Sequence, residues 1–469
     1  MRKHKEGRLL ALLLAAALLA AGCSGTAGSS GGGSGAGRSE SNELTVMTNV
    51  AVISGITSAS LQEKSTISSW YAIYHKLWDQ QFPGMKVNEV KVTDDAAEVT
   101  KTLLGVNAGN PPDLIAVHEQ LAALVKRGAV ENLDSYYAAA GIKPGYFLKP
   151  MEDAVRFDGH WYGMPGASNP TQNTLLVVPK YLKAAGIDPN KLPVTWPELW
   201  AATRKVTTFD AAGNLTRIGL PVDQTLGLVN LYCGKQTTYD PSSNTFHANA
   251  PCVKDYFKYN KRLLDFYGGM AKYTKFITGD PTVWTCSAKA YIPTGKILFA
   301  VDAYWSGAQM DTCYDVQWEL GPPPTMNGTD AEWAALGPVA WVLAIPKGAK
   351  HPQHAFDFVK FSIWEHGDLL GPTTNGYVRP QQASAWGNGL IKHQAQVRTA
   401  KGYPGNPMAA AMTIVTKGAE LGGASVEKSQ NAQYFHDQFS LAWQQVAFGR
   451  STIDASLDRV QKLMDAKPN

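Results

Sequence analysis

Glu43-Leu44-Thr45-Val46-Met47-Thr48-Asn49-Val50 is a short, apolar-rich run, and the segments that follow it decide the fold. It reads as a first β-strand. From Ile67 to Phe82, Trp70, Ile73, Tyr74, Leu77 and Trp78 recur at helical spacing until Pro83-Gly84 stops the pattern. Met85 to Val92 is again β-rich. Asp95, with Glu98 three residues later, has the form of a capping box opening a helix to about Ala108, which Gly109-Asn110-Pro111-Pro112 ends. Asp113 to Val117 is a third apolar strand. Strand, helix, strand, helix, strand with brief connections is the pattern of a parallel sheet with right-handed crossovers.

Beyond this first lobe the texture changes. Gly, Pro, Asn and aromatic residues crowd Arg156 to Pro170, as in a crossover to a second lobe. Thr174 to Val178 is a buried strand, followed by a helix to Ala185. Thr195, Pro197 and Glu198 supply a hydroxyl N-cap, a proline in the first turn and a capping-box glutamate for a helix to about Thr207. Tyr256 to Tyr267 is helical, Ile297 to Val301 and Val339 to Ile345 are strands, and Ala355 to Ile363 is an amphipathic helix. Helices around Tyr434–Phe448 and Ser451–Met464 close the chain. The chain leaves the first lobe, builds a second and returns more than once.

The N-terminus carries an address. Arg2, Lys3, Lys5 and Arg8 precede an apolar run from Leu9 to Leu19, too short to span a bilayer. Leu19-Ala20-Ala21-Gly22-Cys23 then resembles a bacterial lipobox, in which the cysteine is lipidated after cleavage. An ordinary cleavage site with a coincidental cysteine is the weaker reading. Ser24 to Ser41 is almost wholly Gly, Ser and Ala and cannot bury enough apolar surface to fold. The sequence therefore divides into a signal over 1–22, a tether over 23–42, a first lobe mainly over 43–160, a second mainly over 161–335, and shared returning segments over 336–469.

Most of the formal charge of +4 resides in the signal, so a nearly neutral chain remains and nothing points to nucleic acid. Thirteen Trp and nineteen Tyr suggest a surface that grips flat apolar faces. Cys233, Cys252, Cys286 and Cys313 are an even set in an exported chain, with three possible connectivities; the pairs Cys233–Cys252 and Cys286–Cys313 both close local loops. Zinc is disfavoured because no two of them have ligand-pair spacing.

At this point several motifs resemble a known family, the extracellular solute-binding proteins (family 1) of carbohydrate ABC importers, related to maltose-binding protein. They are Phe82-Pro83-Gly84-Met85-Lys86-Val87, Gly109-Asn110-Pro111-Pro112-Asp113-Leu114, Asp158-Gly159-His160-Trp161-Tyr162-Gly163-Met164-Pro165, Thr195-Trp196-Pro197-Glu198-Leu199, His354 to Phe361, and Asn375-Gly376-Tyr377-Val378-Arg379-Pro380. Their order covers essentially the whole mature chain. The cysteine-bearing middle region departs from the family pattern. The resemblance implies an α/β, two-lobed, periplasmic-binding-protein-like (type II) fold with hinge strands and an interlobe cleft. It also implies a monomeric, lipid-anchored receptor on the extracellular face of the cell membrane, which takes a sugar or oligosaccharide to ABC transporter permease subunits without cofactor or metal.

Sugar rings offer C–H-rich faces to aromatics and hydroxyls to Asp, Glu, Asn or Arg, and the expected positions lie just past strand ends. These are Asn49, His118 and Glu119 in the first lobe, Trp161 in the crossover, and Asp302, Tyr304 and Trp305 after the Ile297–Val301 strand. Tyr162 serves equally well as core beneath the hinge. Trp305 stands where the family places a stacking tryptophan. Trp341 lies in a strand, where core is the stronger reading, and Tyr377 and Arg379 sit on a loop that would cap the cleft. A non-sugar solute is the alternative cargo. A secreted glycoside hydrolase, with Asp302 and Glu119 as its carboxylates, is the alternative from another class. His351 and His354 are spaced three apart without a third metal ligand.

Overall fold

The computed structural model describes residues 42–48, 80–93, 95–117, 120–166, 173–278, 288–335, 342–365, 391–392, 394–421 and 427–467. β1 (Glu43–Thr48), β2 (Lys86–Lys91) and β3 (Leu114–Val117) are parallel, with β1 in the middle, and the helix Asp95–Asn107 connects β2 to β3. These bounds fall within two residues of the sequence reading. The five-stranded sheet is completed from far along the chain. β4 (Met164–Pro165), β5 (Asn173–Val177), β6 (Phe299–Ala303), β7 (Glu319–Gly321) and β8 (Val342–Ala344) follow in order, and β8 inserts antiparallel between β3 and β4. The order is β2-β1-β3-β8-β4. In the second lobe β5 lies between β6 and β7, antiparallel to both, so strands over a hundred residues apart are neighbours.

The two lobes have separate cores. Leu44, Val46, Leu114, Ile115, Trp161, Met164, Leu343, Phe356 and Trp364 belong to the first. Leu175, Trp196, Tyr256, Phe299, Met408, Phe435, Phe439 and Trp443 belong to the second. Among the described residues, polar contacts between the lobes include Gln120 Nε2 donating to Gln433 Oε1 at 2.9 Å and Lys428 Nζ donating to the Arg156 carbonyl at 3.2 Å.

Local chemistry explains where several elements begin. Thr195 Oγ1 accepts from Glu198 N at 3.2 Å while the Glu198 carboxylate accepts from Thr195 N at 3.1 Å, the reciprocal cap that opens Trp196–Val206. Glu98, read as the glutamate of a capping box opened by Asp95, faces the sheet, and its carboxylate accepts from the buried Ala116 N at 2.7 Å. The helix Pro352–Val359 continues into a π-helical turn, Lys360–Glu365. Cys233 and Cys252 form the local disulfide expected, between the helix Leu226–Cys233 and the start of Pro251–Phe266. Cys313 is also disulfide-bonded, and Cys286 lies outside the described residues.

Candidate functional site

β6 ends at a cavity of about 350 Å³ inside the second lobe. Ile297, Ala300, Val301 and Asp302 bring the strand to it, and Leu220 to Asp223 form the facing wall. That wall follows an isolated bridge not evident in the sequence: Ile218 is paired in parallel with Ile297, and Phe299 N donates to the Gly219 carbonyl at 2.8 Å. Only glycine fits at 219, since a Cβ there would stand 2.4 Å from Thr203 Cα in the adjoining helix. The wall is pinned by side chains. Tyr256 Oη donates to the Asp223 carbonyl at 2.8 Å, Asn260 Nδ2 to the same oxygen at 2.6 Å, and Tyr273 Oη accepts from Val222 N at 3.0 Å.

Two carboxylates line this cavity. Asp302 Oδ1 accepts from Ala303 N at 2.7 Å, its Oδ2 accepts from Ser306 Oγ at 2.9 Å, and Thr174 Oγ1 donates to its carbonyl at 3.1 Å. Asp223 Oδ1 accepts from Thr225 N at 2.7 Å. Burial raises the Asp302 carboxyl above its usual range, and the charge of Asp223 adds to that, against the lowering effect of its hydrogen bonds. Burial likewise raises Asp223, with the Thr225 bond opposing. The arrangement offers a hydroxyl-bearing ligand two strong acceptors beside the rings of Trp196, Tyr256 and Tyr273.

The sequence candidates separate clearly. Asp302 is at the site, although it lies within β6 and not after it, because the strand runs two residues further than its apolar pattern. Trp305 is the first residue of the helix Trp305–Cys313, and its side chain is outside the described set. Tyr304 is 1% exposed and packs within the second-lobe core. Trp161 is packed in the first-lobe core. It is 5% exposed, stacks on Tyr137 at 4.1 Å and lies under the Arg156 guanidinium at 5.0 Å. Tyr162 is half-buried against Phe157. Asn49, His118, Glu119, Trp341, Tyr377, Arg379 and Cys23 lie outside the described residues. Asp223 escaped the sequence reading; it lies beyond the Ile218 bridge, on the cavity wall that faces β6.

Among the described residues no three His, Cys, Asp or Glu side chains are grouped to hold a metal ion, and no helix is long and apolar enough to cross a membrane. His351, a residue weighed for metal, instead bonds Asp113 through both its main-chain N–H (2.9 Å) and its ring Nδ1 (3.1 Å).

Comparison with known proteins places this architecture. No curated protein sequence matches the chain. Among solved structures it is similar to CpMnBP1 with mannotriose bound (21% identity, TM-score 0.66, covering 90% of this chain and 99% of that one). It is similar to an ABC substrate-binding protein from Listeria monocytogenes in complex with cycloalternan (14%, 0.64, 90% and 98%). It is also similar to maltose-bound MalE3 of T. maritima (13%, 0.61, 90% and 99%). At these identities the likeness is one of fold, and the fold is the two-lobed one. The family described as bacterial extracellular solute-binding protein matches residues 74–380, well over half of the sequence. With that span matched, and the two-lobed fold found in solved substrate-binding proteins, the chain belongs to the bacterial extracellular solute-binding protein family.

Proposed function

We propose that this chain is a lipid-anchored receptor on the outer face of the cell membrane that binds a sugar or oligosaccharide and delivers it to the permease of an ABC importer. The observation that carries the reading is the cavity at the end of β6, where Asp223 and Asp302 stand among aromatic and apolar walls. Carboxylates accept from sugar hydroxyls while rings cover the C–H faces, and exclusion of water from the cavity strengthens both. Sugars bound in similar structures, mannotriose, cycloalternan and maltose among them, support the cargo class. Cys23, lipidated behind the Gly/Ser tether, would keep a monomeric receptor at the membrane. The bonds from Gln120 to Gln433 and from Lys428 to the Arg156 carbonyl bridge the two lobes, and a ligand that draws the lobes together would act through such contacts.

A paired-carboxylate cavity also fits a glycoside hydrolase, which needs an acid and a base or nucleophile flanking the scissile bond. A thermal-shift panel of mono- and oligosaccharides on the chain from Ser39 onward separates the readings. A sugar at about a hundred times its dissociation constant adds roughly 2.7 kcal/mol. A shift with the sugar recovered intact supports the receptor, and a cleaved sugar means an enzyme. No shift across the panel moves the cargo to a non-sugar solute. Trp305→Ala should weaken the same sugar more than tenfold with the fold intact, and an unchanged affinity removes Trp305 from the site.

A further inference from the structure

The helix Pro251–Phe266 has two faces of opposite character. Tyr256 and Asn260 line the cavity just described. Two residues beyond Asn260, about 200° around the helix axis, Arg262 turns away from it. With Phe266 from the same helix and Trp200, Arg204 and Lys205 from Trp196–Val206, it lines a separate notch of about 530 Å³.

Trp200 is the floor of this notch. The Arg262 guanidinium stands 4.4 Å from the indole centroid and that of Arg204 stands 5.9 Å away, while Phe266 meets the ring edge-on at 5.7 Å. Stacking holds a guanidinium flat and leaves its planar fork of N–H donors free to point outward. No carboxylate is among the described lining residues. The contrast along the helix is informative. Lys254 pairs with Asp454 and Asp458, Lys258 with Asp255, and Lys261 with Asp265. Neither Arg204 nor Arg262 has an ion pair among the described residues. Lys205 Nζ donates to the Gly186 carbonyl at 2.7 Å and keeps two further donors.

Two guanidinium groups drawn onto one indole repel each other unless an anion lies between them. A single carboxylate would balance one of the three cations. A phosphate group brings up to two charges and several acceptor oxygens, matching the planar donors of both arginines at once. We infer that this notch is a second binding site, distinct from the sugar cavity, for a phosphate group carried by a soluble molecule or by a lipid headgroup.

Inorganic phosphate is titrated into the chain from Ser39 at low ionic strength, with chloride at equal ionic strength as control. Phosphate should bind wild type, and R204Q/R262Q should weaken it at least tenfold with an unchanged thermal midpoint. R262K, which keeps the charge but loses the flat stack, should fall between them. Vesicles of phosphatidylglycerol or phosphatidylcholine then identify the source. Retention on the former alone, lost in R204Q/R262Q, assigns a lipid headgroup, whereas phosphate binding without vesicle retention assigns a soluble one. Equal response of wild type and R204Q/R262Q to both probes, or no response of wild type to either, overturns the site.

Discussion

Two carboxylates of the first lobe, Asp113 and Glu98, and the two that line the second-lobe cavity, Asp302 and Asp223, are bonded in different ways. In the first lobe they fasten distant segments. Asp113 accepts from Thr45 N at 2.9 Å and from His351 N at 2.9 Å, joining β1 and the start of the helix Pro352–Val359 to the head of β3, and Glu98 ties its helix to Ala116. In the second lobe Asp302 is bonded by Ala303 and Ser306, and Asp223 by Thr225, all within one turn of chain. A carboxylate saturated by far-off backbone donors is a structural clip. One held only by its own turn is kept in position without joining distant parts of the fold, and it remains available to a ligand.

The largest test of this contrast is Asp113→Ala. It removes two charge-assisted bonds to backbone, at about 2 kcal/mol each, and strands the Thr45 N–H, so unfolding stability should fall by about 4 kcal/mol. Chemical denaturation measures this, and a loss under 1 kcal/mol would show that Asp113 is no clip. Cys233→Ser with Cys252→Ser opens a loop of 19 residues in the second lobe, where fastening is covalent instead, and should cost about 3 kcal/mol. Hydrogen exchange should show the loss in the second lobe while the first keeps its protection; protection lost evenly in both would mean that the lobes unfold as one unit.

Asp223→Asn should have the smallest effect on stability and the opposite sign. Burial raises the Asp223 carboxyl in the folded state, so the stability that its protonation confers is present below the unfolded pKa and is lost as pH rises through the folded one. Asparagine keeps the acceptor for Thr225 N and carries no charge. The variant should therefore melt above wild type at pH 7, with the gap closing toward pH 4, while sugar binding weakens. Melting curves with the same gap at both pH values would remove buried charge as the cause.

This contrast also marks how far the sequence could be read. β1, β2, β3 and the Thr195–Glu198 cap were legible because each is specified by neighbouring residues: an apolar run, a breaker, a hydroxyl three positions before a glutamate. The strand-end rule reached Asp302 by the same means. It missed Asp223 because Gly219 and Pro221 interrupt the stretch before it, leaving no β pattern, and Ile218 is joined to β6 only through contacts with residues 297–299. It could not show that Tyr304 and Trp161 pack in the cores, because an aromatic in the core and one facing a cleft look identical in one dimension. Nor could it show the partner of Glu98, because Ala116 N lies across a crossover.

The late insertion of β8 between β3 and β4 has a bearing on how the chain is made. An exported polypeptide emerges N-terminus first, so β3 must wait for more than two hundred residues before its antiparallel neighbour arrives. Pairings so distant in sequence are slow to form. The first lobe therefore stays unfinished through most of synthesis and translocation, which keeps the polypeptide threadable. β7 and β8, which complete the sheets of the two lobes, both lie in the final third of the chain.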